Sequence, residues 1–149
     1  MKYFSTKTYE HSEGLSAVFR QPKATHSHCH LLHGYSLKFK FVFGCDSLDE
    51  KNWVVDFGGL KLLKQWLHDC FDHTVIVDIA DPELHTIRAL EAKGIANVVT
   101  FDGVGCEKFA EHAFNFANSL IKEKTEGRCY VVSVECAEHG ANSSIYSNK

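Results

Sequence analysis

Thr25-His26-Ser27-His28-Cys29-His30-Leu31-Leu32-His33-Gly34-Tyr35 runs without a break into Ser36-Leu37-Lys38-Phe39-Lys40-Phe41-Val42-Phe43. From Tyr35 onward, Tyr35, Leu37, Phe39, Phe41 and Phe43 share one face and Ser36, Lys38 and Lys40 the other. That period of two predicts a half-buried β-strand. Four histidines and one cysteine crowd the eleven residues at its mouth. Imidazole and thiolate bind zinc, attack electrophiles and move protons near neutral pH. The loop entering the strand is therefore the first candidate site, with a solvated His-rich loop as the competing reading.

Upstream, a strand is expected within Tyr3 to Phe19, interrupted near Ser12-Glu13-Gly14 and paired antiparallel with the first across the His-rich loop. Downstream, Leu60, Leu63, Leu67 and Phe71 recur at helical spacing. A short apolar run, Val75-Ile76-Val77, is followed by a weaker helix over Glu83 to Lys93, stopped by Gly94, and a short strand over Val98 to Phe101. A stronger helix begins near Gly105-Cys106-Glu107, with Phe109, Ala113, Phe116 or Ala117, and Leu120 as its core stripe. Strands over Tyr130 to Cys136 and at Ile145-Tyr146 complete the chain. Strands flanking helices argue an α+β fold, an antiparallel sheet covered on one face, with an inserted segment around residues 78 to 103.

The chain has 149 residues, 44% apolar and 23% charged, which fits one domain over 1–149 with an adequate core. A net charge of −3 without a long Lys/Arg run gives no electrostatic footprint for nucleic acid or an anionic membrane. No segment is apolar for long enough to span a bilayer, and Met1-Lys2-Tyr3-Phe4 lacks a signal-peptide core, so a cytoplasmic location is expected. None of the six cysteines forms a C-x-x-C pair; Cys45, Cys70, Cys129 and Cys136 read as packing or surface residues. Cys106 reads as a small residue at a helix start, where a thiol pKa can also be lowered.

Six ordered blocks resemble the 6-pyruvoyl-tetrahydropterin synthase superfamily, whose bacterial branch is 6-carboxy-tetrahydropterin synthase of the queuosine pathway. Leu15-Ser16-Ala17-Val18-Phe19-Arg20 is similar to its aromatic-Ser-Ala-x-His-Arg strand, and Cys29 to Tyr35 to its C-x-x-x-H-G-H. Trp53 to Lys61 resembles G-M-V-x-D-F-x-x-L-K, and Phe71-Asp72-His73 resembles L-D-H. Gly105 to Ala110 resembles P-T-x-E-N-x-A, and Val134-Glu135 with Tyr146 resembles the closing V-x-E-T…Y. The resemblance implies the T-fold: a four-stranded antiparallel sheet with two helices on one face. It further implies subunits joined edge to edge into a barrel, a homo-oligomer expected to be a hexamer with shared active sites. It assigns Cys29 as nucleophile or base, Asp72 and His73 as a relay from a neighbouring subunit, Glu135 as the pterin anchor, and Glu107 as a pocket residue.

The residues allow plainer readings too: Asp72 as a turn residue and Glu135 as an outward-facing strand carboxylate. The resemblance also implies a zinc held by three histidines, and here two of them are replaced, by Phe19 and Tyr35, leaving His33 alone in place. Phenylalanine has no lone pair, and a phenol of pKa about 10 is a poor zinc ligand beside imidazole. Three expectations stay open: a rearranged zinc on His33 with His28, or with His30 or His26; a ligand from His11 or His139; or no metal, with Cys29, His73 and Tyr35 carrying the chemistry. The reading is an enzyme similar to 6-carboxy-tetrahydropterin synthase, a lyase acting on 7,8-dihydroneopterin triphosphate or a related reduced pterin. The alternatives are a pterin-binding protein without turnover and a metal-free, aldolase-like pterin enzyme.

Overall fold

The computed structural model describes residues 2–148. Its axis is the alternating segment, which forms β3 (His33–Cys45). Leu37, Phe39, Phe41 and Phe43 are all fully buried on one face. β2 (Leu15–Phe19) pairs antiparallel with the first part of β3, from Phe19↔His33 to Leu15↔Leu37. β1 (Tyr3–Tyr9) pairs with the rest, from Tyr9↔Phe39 to Tyr3↔Cys45. The two are one strand in register terms, broken as expected by a 3-10 turn at His11–Glu13. The turn ends at Gly14, whose φ of +90° is open to glycine and costly for other residues.

On the other side of β3 lies β6 (Cys129–His139), with β7 (Asn142–Ser147) folded back on it. These strands make the expected four-stranded antiparallel sheet, counting β1 and β2 as one. The sheet does not stop there. β4 (Thr74–Asp78) adds in parallel to β2, and β5 (Val98–Phe101) adds in parallel to β4, giving seven strands in all. α2 (Leu84–Ala92) is the crossover between those two strands. The insertion is thus a βαβ unit laid on the β2 edge, because parallel neighbours need a helical connection.

α1 (Lys61–Phe71) buries Leu63, Leu67 and Phe71, as its spacing predicts. α3 (Cys106–Lys124) packs across β6 and β7 and buries Phe109, Ala110, Ala113, Phe114, Ala117 and Ile121. Phe116 and Leu120 sit at the margin of the core. Phe116 stacks on Trp66 of α1 with ring centroids 4.9 Å apart. Among the described residues the helices number three, as the helical spacings predict and one more than the T-fold resemblance implies, with α2 serving only the insertion. All six cysteines are free thiols. No helix among the described residues is long and apolar enough to cross a membrane.

Candidate functional site

The ends of β2, β3 and β6 meet the start of α3, and their inward-facing side chains form one cluster. Phe19, His33 and Tyr35 are in mutual ring contact, with centroids 5.3 Å, 5.4 Å and 6.1 Å apart. The His139 ring lies 6.2 Å from Tyr35. The Glu138 carboxylate faces the Tyr35 hydroxyl. Burial, the charges of Glu138 and Cys29, and the hydrogen bond to Glu138 all raise the phenol's pKa, so Tyr35 stays protonated. Cys136 lies against Cys106, and burial pushes its thiol well above the usual range. A cavity of about 360 Å³ opens here, lined by Cys106, Glu107, Glu138 and the β6–β7 turn from Ala141 to Ser144.

Two residues hold the His-rich loop against this cluster. Arg20 donates from Nε and Nη2 to both oxygens of Asp81 at 2.9 and 2.8 Å, and from Nη1 to the His30 carbonyl at 2.9 Å. Gln21 receives the loop at its backbone, donating N–H to the Cys29 carbonyl at 2.8 Å. Its side-chain amide donates to Val104 O, 2.7 Å away, just before α3. A side chain at Gly105 would meet that amide at 2.5 Å, and φ there is +108°, so the approach requires glycine. Ser27 Oγ accepts from Cys29 N–H at 3.1 Å and starts the 3-10 turn His28–His30. Cys29 is exposed at the rim.

A second group forms where α1 ends. His68 Nε2 is 2.8 Å from Glu13 Oε2, His68 Nδ1 is 2.8 Å from Asp72 Oδ2, and Asp72 Oδ1 is 2.6 Å from His73 Nδ1. Hydrogen bonds to Asp72 and then to Glu13 raise the His68 pKa, and the bonds received from His68 and His73 depress that of Asp72. His73 takes φ +58°, a left-handed conformation uncommon outside glycine, and its N–H donates to Ser16 O at 2.8 Å. Its side chain is 89% exposed.

The expected residues therefore separate. Glu107 lines the cavity with Glu138, Tyr35 faces Glu138 and is near enough to Cys29 to feel its charge, and His33 is in ring contact with Tyr35. Asp72 and His73 pair with each other and point out of the chain. Glu135 lies on the opposite sheet face, paired across from Lys40 and accepting from Ser143 Oγ at 2.7 Å. The carboxylate that joins the cluster is Glu138, on the same face as Val134 and Cys136. His28 is exposed, His30 Nδ1 is held by Ser27 O at 2.5 Å, and His11 Nδ1 by Ser36 O at 2.6 Å. His139 Nδ1 accepts the Ala141 N–H at 3.2 Å. Among the described residues, no three His, Cys, Asp or Glu side chains come together in a way that could hold a metal ion. The donors present do not fit a zinc held by three histidines.

The 6-pyruvoyl tetrahydropterin synthase family model matches residues 8–149. The chain belongs to that family. It is 35% identical over 141 residues to 6-carboxy-5,6,7,8-tetrahydropterin synthase of Aquifex aeolicus, covering 91% of this chain and 85% of the relative. The same-named Rickettsia bellii enzyme is 32% identical over 80 residues, covering 53% of this chain and 54% of the relative. An uncharacterized protein from Wolinella succinogenes has the same fold, with TM-score 0.79 at 20% identity over 99% of this chain and 98% of that one. So does 6-pyruvoyl tetrahydropterin synthase of Plasmodium falciparum, with TM-score 0.67 at 12% identity over 96% of each chain. Membership makes this an α+β T-fold domain of pterin-synthase type.

Glu138 and His68 carried signals that sequence reasoning passed over. Glu138 sits two residues beyond Cys136, on the alternation set by Val134. His68 sits four residues before Asp72, on one face of a helix. Glu13 had no such local signal: the fold alone brings it to His68.

Proposed function

We propose that this chain binds a reduced pterin, such as 7,8-dihydroneopterin triphosphate, and acts on it in the manner of a 6-carboxy-tetrahydropterin synthase. The observation that carries this reading is the placement of Glu107 and Glu138 on one cavity, with Tyr35 facing Glu138. A pterin's amino-pyrimidinone edge presents adjacent N–H donors, and a carboxylate accepts them in parallel through charge-assisted bonds. Glu138 takes the anchoring role that the sequence pattern suggested for Glu135. With the ring fixed there, its side chain reaches toward Cys29 and Tyr35. The Cys29 thiolate removes a proton beside a side-chain oxygen while Tyr35 donates a hydrogen bond to that oxygen. The Asp72–His73 pair serves the cavity of a neighbouring copy, which fits its exposure and its lack of contact with Cys29 in its own chain. The names of the curated relatives support the same substrate class.

Calorimetry with a dihydropterin tests the anchor. Glu138→Gln weakens binding about tenfold or more, as loss of a charge-assisted pair predicts, whereas Glu135→Gln leaves it within about twofold. The reverse ranking refutes this assignment. Cys29→Ala retains binding and loses turnover. A second reading, pterin binding without turnover, is favoured by the poor zinc donor set. It stands if wild-type protein binds the pterin and converts none.

A further inference from the structure

We infer that Phe19 and Tyr35 have closed the zinc position of this family, leaving a metal-independent site whose polar group is the Tyr35 hydroxyl backed by Glu138. The three positions at which the family resemblance expects zinc histidines do meet in space, but as a packed set of rings. Phe19 is 2% exposed and sits edge-on to Phe109 at 5.0 Å, so it is anchored in the core. A benzyl ring supplies no donor. His33 Nδ1 lies 2.7 Å from the Leu31 carbonyl, which fixes the N–H there and leaves Nε2 as the one free lone pair of the set. A catalytic zinc needs three protein donors.

The histidines nearby in sequence do not make up the deficit. His30 and His139 each use a ring nitrogen on backbone groups of their own segments, His11 uses one on the Ser36 carbonyl of β3, and His28 is exposed on the loop. At the Tyr35 position the set carries a phenol hydroxyl, a hydrogen-bond donor and a poor zinc ligand beside imidazole. On the pterin reading above, that donor faces the substrate oxygen which a Lewis acid would otherwise polarise. The metal claim itself does not depend on the substrate, so zinc content and pterin binding can fail separately.

Zinc per chain, measured by plasma mass spectrometry on protein purified without chelators, decides the matter. Wild type is expected at background, with micromolar or weaker affinity when zinc is titrated against a chromophoric chelator. The double variant Phe19→His with Tyr35→His is expected to hold about one zinc per chain. Circular dichroism establishes that it is folded. Should the buried substitution prevent folding, Tyr35→His alone, which places two imidazoles together, is expected to tighten zinc binding by about tenfold or more over wild type. Stoichiometric zinc in wild type, lost on His33→Ala, overturns the inference. So does a folded double variant that stays at background, or a lone Tyr35→His that binds no better than wild type.

Discussion

His68 stands between two carboxylates, Glu13 and Asp72, each 2.8 Å away, and the second of these also holds His73. The imidazolium is the favoured form, which keeps Asp72 ionised and aimed at the His73 ring. Because the His68 pKa is raised on folding, its contribution is full below about pH 6.5 and is lost as pH rises through the folded value. Because that of Asp72 is depressed, its contribution is present above about pH 3.9 and is lost as pH falls through its folded value. The clamp is strongest between those limits, and at about 1 kcal/mol given its partial exposure. His68→Gln is expected to lower the melting temperature most near pH 6 and progressively less as pH rises through the raised folded value. A difference that widens with pH refutes the clamp. The His68–Asp72 spacing was legible on the helix, and Cys29, His33 and Tyr35 were legible as neighbours of the strand mouth. Glu135 lies on the face away from the cluster, and β6 runs on to His139, past the Cys136 end that apolar alternation suggested, with an irregularity beyond Ala137. Glu138 on that extension meets the cluster instead.

At the scale of elements, Arg20 is a pivot. Its guanidinium joins the end of β2 to the Cys29 loop through the His30 carbonyl and to the entry of α2 through Asp81. The Asp81 side chain is only 1% exposed. Arg20→Ala strands that carboxylate, and removing one partner of a buried pair costs about 3–5 kcal/mol. Urea unfolding is expected to show that loss, together with faster alkylation of Cys29 in the folded protein as its loop is released. A variant with unchanged stability and unchanged thiol reactivity refutes the pivot. The same contact explains what the sequence left hidden about the insertion. Val75-Ile76-Val77 and Val98-Val99 were visible as apolar runs, yet nothing local says that they lie parallel. That follows from α2 packing on both and from β2 offering them an edge.

At the scale of the whole molecule, Cys29 lies on the His-rich loop and the Asp72–His73 pair at the end of α1, in separate groups of the chain. Subunit mixing tests whether assembly brings them together. Cys29→Ala and His73→Ala proteins, each inactive alone, are expected to regain about a quarter of wild-type activity when refolded together in equal amounts, the share of interfaces at which both intact residues meet. No recovery in demonstrably mixed oligomers refutes a shared site. The central position of β3 has a different consequence, one for biosynthesis. Its N-terminal partners β1 and β2 are adjacent in the chain, but β6, which pairs along its other edge, emerges from the ribosome only after all three helices. Until then β3 has one unsatisfied edge, and α3 lacks the β6 and β7 strands on which it packs. Long-range pairing of this kind closes late and slowly. A nascent chain stalled before β6 therefore presents an open aromatic strand edge, which closes when β6 has been made.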